Sequence, residues 1–173
     1  MIEDHLIIRN AELADARAIA DIYNEAILTT TATFDTEIKS VDDRQQWLRE
    51  HGEGHPVIVA EVGGRVVGWS SLSKWSDRKA YDRTAEISCY VASGFRGQGI
   101  GRRLKQQTID DARRLGFHTL IARITEESRE SLHLNESFGF VHVGLLREVG
   151  CKFGRFLGVH ILQKILDDEE CSG

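Results

Sequence analysis

Arg96-Gly97-Gln98-Gly99-Ile100-Gly101 is the stretch on which the reading of this 173-residue chain turns. Ahead of it, Thr84–Val91 has strand character. Behind it, Ile100, Leu104, Ala112 and Leu115 recur on one side of a helix that Gly116 ends. Glycine lets the backbone approach a ligand closely, and a helix N-terminus offers unpaired N–H groups and a favourable dipole. A strand, a glycine loop and a helix in that order therefore suit a phosphate-bearing ligand, with a plain turn into a helix as the simpler alternative. A Walker A loop would place Lys and Ser/Thr after its last glycine, where Arg102-Arg103 stand. A dinucleotide fingerprint would need glycine at position 102. What fits is the order strand-(Q/R)xxGxG-helix.

The rest of the chain sets the frame for this loop. Its length suits one domain, 1–173, with a core of about 6–166 and a short disordered C-terminal tail. A hydrophobic share of 41% and a charged share of 28% are those of a globular protein. With 27 acidic against 22 basic residues, the net charge of −5 disfavours nucleic acid as a partner. It leaves room for a local basic patch around one small anion. Cys89, Cys151 and Cys171 are isolated thiols, suited to neither a disulfide framework nor zinc. No metal is expected. Residues 1–10 lack the pattern of a signal peptide, and no apolar run reaches the roughly 18 residues of a membrane span. A cytoplasmic protein without membrane attachment is the expectation.

Outward from the loop, periodicity gives a strand at 6–9 and a helix through Ile19, Ile22, Tyr23, Ala26 and Ile27. Ser40-Val41-Asp42-Asp43 reads as a helix start, with Trp47 and Leu48 facing inward. Runs at 57–62 and 65–72, split by Gly63-Gly64, predict a hairpin. A strand at 119–124, a helix at 128–138 ended by Gly139, and strands at 141–146 and 159–166 follow. The order β-α-α-β-β-β-α-β-α-β-β predicts an α/β fold, a mixed sheet with helices on its faces.

The loop, in its strand-helix setting, resembles the coenzyme A pyrophosphate loop of the GNAT N-acetyltransferases. The chain is most similar to their phosphinothricin and methionine sulfoximine branch. Resemblance runs from Ile8 to Leu166, most clearly in Ile22-Tyr23-Asn24, Thr31-Ala32-Thr33-Phe34-Asp35-Thr36-Glu37 and Arg78-Lys79-Ala80-Tyr81-Asp82-Arg83-Thr84-Ala85-Glu86. It continues in Tyr90-Val91, Phe138-Gly139-Phe140 and Leu146-Arg147-Glu148-Val149-Gly150-Cys151-Lys152-Phe153-Gly154-Arg155. The resemblance implies two central strands that splay to admit pantetheine. It also implies acetyl-CoA as co-substrate, a small amino-acid-like amine as acceptor, and a homodimer.

Such a transfer must deprotonate the amine, stabilise an oxyanion and release a thiolate. Alternation along 84–91 puts Glu86, Ser88 and Tyr90 on one face. Glu86 can accept the amine proton there, or can be an ordinary strand carboxylate paired with an Arg. The family's base matches Glu86. The resemblance further places backbone N–H groups near Cys89, Tyr90 and Val91 at the acetyl carbonyl. It puts Arg96, Gly97, Gln98, Gly99, Ile100, Gly101 and Arg102 at the pyrophosphate, and Phe34, Trp75, Arg78 and Tyr81 around the acceptor. An Arg suits a carboxylate or phosphinate. The side chain of Cys89 reads as packing.

The chain departs from the pattern at several positions. Asn135 stands where this branch has His and many relatives Tyr, the residue suited to protonating the thiolate. Ser128 replaces the Asn that commonly meets the cofactor at the start of the helix, with a hydroxyl that can still cap that helix and touch coenzyme A; Phe156 replaces a Trp, and Gly158 an Asp. His133 points elsewhere on its helix. Two further readings stay open: the same chemistry on a polyamine or a protein N-terminus, and an acyl-CoA-binding sensor without catalysis.

Overall fold

The computed structural model describes residues 6–166, so the expected disordered tail lies outside the described residues. Seven strands form one sheet in the order β1-β2-β3-β4-β5-β7-β6. In chain order these are β1 (Leu6–Asn10), β2 (Val57–Val62), β3 (Arg65–Lys74), β4 (Thr84–Val91), β5 (Thr119–Thr125), β6 (Val141–Lys152) and β7 (Arg155–Ile165). The helices are α1 (Ala16–Thr29), α2 (Val41–His51), α3 (Ile100–Arg114) and α4 (Arg129–Ser137). This is the mixed α/β architecture expected, in the expected order. Among the described residues no helix is long and apolar enough to cross a membrane.

Period-two alternation divides the core between the two faces. Val57, Val59 and Trp69 pack with Ile19 and Ile22 of α1. Ile58, Ala60 and Val67 turn the other way, onto Ile100 and Leu104 of α3. A larger cluster joins Ile87, Leu120, Ala122 and Ile124 to Ile109, Ala112 and Phe117. Each large aliphatic side chain buried in this way contributes about 1.5–3 kcal/mol. Leu115, expected on the buried stripe of α3, is instead 37% exposed, and Lys105, Thr108 and Asp111 are buried on that helix.

Local chemistry explains the boundaries. Ser40 caps α2, its hydroxyl accepting from the Asp43 N–H at 3.1 Å. Trp47 and Leu48 pack against the α1-side cluster only in part. The buried residue of α2 is Arg44, whose guanidinium lies 4.8 Å from the Trp47 ring centroid and 5.6 Å from that of Tyr23. Gly63 and Gly64, both at positive φ, turn the β2–β3 hairpin.

The last hairpin is longer than its sequence pattern indicates. β6 extends to Lys152 and β7 begins at Arg155, with register shifts at His142/Gly144 and Leu146/Gly150. Gly150 has a packing reason: a Cβ there would overlap the Phe34 ring. Gly150→Ala is therefore expected to destabilise by about 1–3 kcal/mol, seen as a lower Tm. An unchanged Tm would show that the ring swings aside freely.

The feature that positions the site lies between β4 and β5. They pair in parallel at only three registers, Thr84↔Thr119, Ala85↔Leu120 and Glu86↔Ile121. Beyond Glu86 the two strands diverge, each held only by its outer neighbour, β3 for β4 and β7 for β5.

Candidate active site

The divergence opens a cavity of about 730 Å³. One end is the loop after β4. There the Arg96 side chain folds back, its Nε donating to the Val91 carbonyl at 3.0 Å. Gly97 and Gly99 take φ of +73° and +80°, and a Cβ on either would meet open space. Gly99 is the N-cap of α3, and no side chain satisfies that helix end. The first-turn N–H groups thus face the cavity mouth with the positive end of the helix dipole. Gly97, Gly99, Ile100 and Gly101 line the cavity, as do Arg96, Arg102 and Arg129. On a chain of net charge −5, these arginines gather positive charge locally, although Glu127 and Glu130 also line the cavity. Gln98 does not line it; its amide donates to the Gly94 carbonyl at 3.3 Å.

The walls are Ile87, Ser88, Cys89, Tyr90 and Val91 of β4 against Ala122, Arg123, Ile124 and Thr125 of β5. An extended chain bearing amides can use the backbone groups that these diverging edges leave without each other as partners. Cys89 packs towards the α3 side, and burial pushes its thiol up to about 11. It is a thiol rather than a thiolate at neutral pH. Burial likewise raises the Tyr90 phenol, whose hydroxyl donates to the Ala32 carbonyl at 3.4 Å.

Glu86 sits where β4–β5 pairing ends. Arg123 grips it bidentately, Nε to Oε1 at 2.7 Å and a terminal nitrogen to Oε2 at 2.9 Å. The pairing alternative foreseen for this strand carboxylate is therefore present. It leaves the remaining lone pairs of both oxygens available to accept, and the Glu86 side chain is 16% exposed.

The far wall belongs to α4. Ser128 lines the cavity but does not cap the helix; its hydroxyl is shared with that of Thr125 at 2.8 Å. Asn135 is buried. It donates from Nδ2 to the Ser131 carbonyl at 2.7 Å and accepts at Oδ1 from Lys105 Nζ at 2.6 Å. His133 is exposed.

The four acceptor candidates do not line this cavity. Phe34 lies on the α1–α2 connection, half-buried against Gly150. Beside it the Tyr23 hydroxyl donates to Asp35 at 2.7 Å, and Lys152 donates to the Thr33 carbonyl at 2.8 Å. Trp75, Arg78 and Tyr81 sit on the connection that feeds β4, with Arg78 exposed at the start of the 3-10 turn Lys79–Tyr81. A smaller cavity of about 360 Å³ adjoins the first, bordered by Thr31, Phe153 and the Glu127–Arg155 ion pair. Sequence reasoning missed Lys105, Arg123 and Lys152. The first two carried a signal: Lys105 stands beside Leu104 on the buried side of α3, and Arg123 interrupts the apolar run Leu120–Ile124.

A family model described as "Acetyltransferase (GNAT) family" matches residues 19–140. The chain is 40% identical over 162 residues to the L-amino acid N-acyltransferase MnaT of Escherichia coli (strain K12), covering 93% of this chain and 94% of that protein. It is 37% identical to an L-methionine sulfoximine/L-methionine sulfone acetyltransferase of Salmonella typhimurium, covering 94% and 96%. Among solved structures, yncA of Salmonella typhimurium with its cofactor acetyl-CoA superposes with a TM-score of 0.94 at 36% identity, covering 98% of each chain. With a splayed β4–β5 pair leading from a glycine loop, and with these matches over nearly its whole length, the chain belongs to the GNAT acetyltransferase family and is an acetyl-CoA-dependent N-acetyltransferase.

Proposed function

We propose that the protein transfers the acetyl group to the α-amino group of a small anionic amino-acid-like acceptor of the methionine sulfoximine or phosphinothricin type, by direct attack. The observation that carries this is the divergence of β4 and β5 beyond Glu86, a carboxylate at the last paired position and next in sequence to Ile87, where the lining begins of a cleft whose other end suits a pyrophosphate. The open N–H groups at Gly99–Gly101, with Arg96 and Arg102 beside them, hold the pyrophosphate. The edges of β4 and β5 take the pantetheine amides. Backbone N–H groups around Cys89–Val91 receive the thioester carbonyl and stabilise the developing oxyanion.

Glu86 accepts the proton of the attacking amine, directly or through one water, with Arg123 fixing its orientation. Asn135 can donate a hydrogen bond to the departing sulfur and holds no proton to release. Phe34, Trp75 and Tyr81 form apolar walls for the acceptor, and Arg78 pairs with its carboxylate. The relatives named for methionine sulfoximine and for L-amino acids support an acceptor of this class.

The β6–β7 hairpin supports a homodimer. Val141, Val143, Val149, Phe153 and Phe156 are each more than half exposed on it, an apolar display suited to a second copy. The protein works in the cytoplasm on this reading.

Thiol release from acetyl-CoA, measured across methionine sulfoximine, phosphinothricin, common amino acids and polyamines, tests the acceptor class. Turnover on polyamines alone would contradict it. Arg78→Ala is expected to raise the KM for a carboxylate-bearing acceptor about tenfold or more, the worth of a lost charge-assisted hydrogen bond. The KM for acetyl-CoA should stay within about twofold. Equal effects on both substrates would sink the assignment of Arg78.

A further inference from the structure

Lys105 is a buried cation without a buried anion. It sits on the second turn of α3, is 3% exposed and lines the cleft. Among the described residues its contacts are the Asn135 carbonyl oxygen at 2.6 Å and the face of Phe140, whose centroid is 5.2 Å from Nζ. Among the described residues no salt bridge joins Lys105 to a carboxylate. Burying an ammonium on one neutral amide and one ring is costly, and an anion arriving in the cleft would relieve that cost. Two anions can arrive there: the pyrophosphate at the loop, and the thiolate formed when the acyl group leaves.

Placement favours the thiolate. Lys105 stands one helical turn beyond Gly101, below the loop. Among the described residues the titratable group that acts on its charge is Cys89, on the wall proposed above to receive the acyl carbonyl. We propose that Lys105, held by Asn135, is the acid that neutralises the departing coenzyme A thiolate; this rests on the acetyltransferase reading above. As the C–S bond breaks, its electron pair passes to sulfur. One Nζ–H bond of Lys105 breaks, its proton bonds to sulfur, and the neutral amine left behind recovers a proton from solvent. The amide at 135 then orients the donor instead of replacing it.

Burial lowers the Lys105 ammonium to about 8, near the ordinary range of a thiol, as a donor to a thiolate requires. The sign follows: protonated donor is present below about pH 8 and lost above it. The groups facing it from other elements are Cys89 on β4, Asn135 on α4 and Phe140 ahead of β6; Arg123 of β5, in the same cleft, is already paired with Glu86.

The test compares kcat against pH, at saturating acetyl-CoA and methionine sulfoximine, for the wild type, Lys105→Met and Lys105→Arg. Wild-type kcat should fall above about pH 8. Lys105→Met should lose about 10²-fold in kcat at pH 7, lose the alkaline fall, and keep its acetyl-CoA Kd within about twofold. Its Tm should hold or rise, because an unpaired buried charge has been removed. Lys105→Arg should retain a cation and show no fall up to about pH 10, since guanidinium does not deprotonate there. An alkaline fall unchanged in both variants overturns the proposal. So does a Lys105→Met loss confined to acetyl-CoA affinity, which would make Lys105 a pyrophosphate contact. If Lys105→Met does not fold, the Lys105→Arg profile alone decides. A wild type with no turnover on any amine would defeat the acetyltransferase reading itself, a different result from an active wild type whose variants match it.

Discussion

Glu86→Gln is expected to lower kcat about 10²-fold near pH 7, the worth of a positioned general base, while leaving acetyl-CoA affinity within about twofold. Gln keeps the length of the side chain and one acceptor for Arg123, so the change removes basicity more than shape. Arg123, whose side chain is 55% exposed, can rehydrate when half its grip is lost, and the fold should tolerate the substitution. The deficit should shrink as pH rises towards the pKa of the acceptor amine, because the acceptor then arrives already deprotonated. Rates equal to wild type across the whole pH range would remove Glu86 as the base. They would leave its ion pair with Arg123 as a structural tie between β4 and β5.

The second large effect is expected at the mouth of the cleft. Gly99→Asp puts a carboxylate at the N-cap of α3, at φ +80° with open space where its Cβ would go. Asp is among the few side chains that tolerate a left-handed backbone, and it is a favoured N-cap. At φ +80° any L side chain carries backbone strain of about 1 kcal/mol, so the helix should hold with Tm lowered by only a few degrees. A negative charge beside a bound pyrophosphate costs roughly 2–3 kcal/mol at a partly screened distance, so the Kd for acetyl-CoA should rise about 30- to 150-fold. The penalty should shrink with added salt. An unaltered Kd would return the loop to a plain turn and move the pyrophosphate elsewhere.

These two sites differ in how legible they were. The loop is local: its glycines, the strand before it and the amphipathic helix after it lie within about thirty residues, and each follows from short-range rules. The hairpin at Gly63-Gly64 and the cap at Ser40 were legible for the same reason. The extension of β6 and β7 was not. Residues 147–158 carry three glycines and several charges, they leave the alternating pattern at a register shift, and two non-glycine residues, Glu148 and Phe153, take positive φ there. The contact of Gly150 with Phe34 and the bond from Lys152 to Thr33 each span more than a hundred positions. No periodicity reports contacts of that range. The same holds for Arg123 on Glu86. A carboxylate on β4 was foreseen, but which Arg meets it depends on the three parallel pairs that join β4 to β5. At Asn135 the sequence showed a missing acid; the buried Lys105 behind it needed α3 and α4 in place.

The most direct test of the central claim follows both halves of the reaction in one mixture. Purified protein, acetyl-CoA and methionine sulfoximine are combined, with free thiol and the mass of the acceptor followed together. Acetyl transfer to the α-amino group predicts one free thiol for each acceptor acetylated on that nitrogen, and no thiol release when the amine is blocked beforehand. Tight acetyl-CoA binding with no acceptor-dependent thiol release from any amine offered would contradict it and leave the protein a sensor of acyl-CoA.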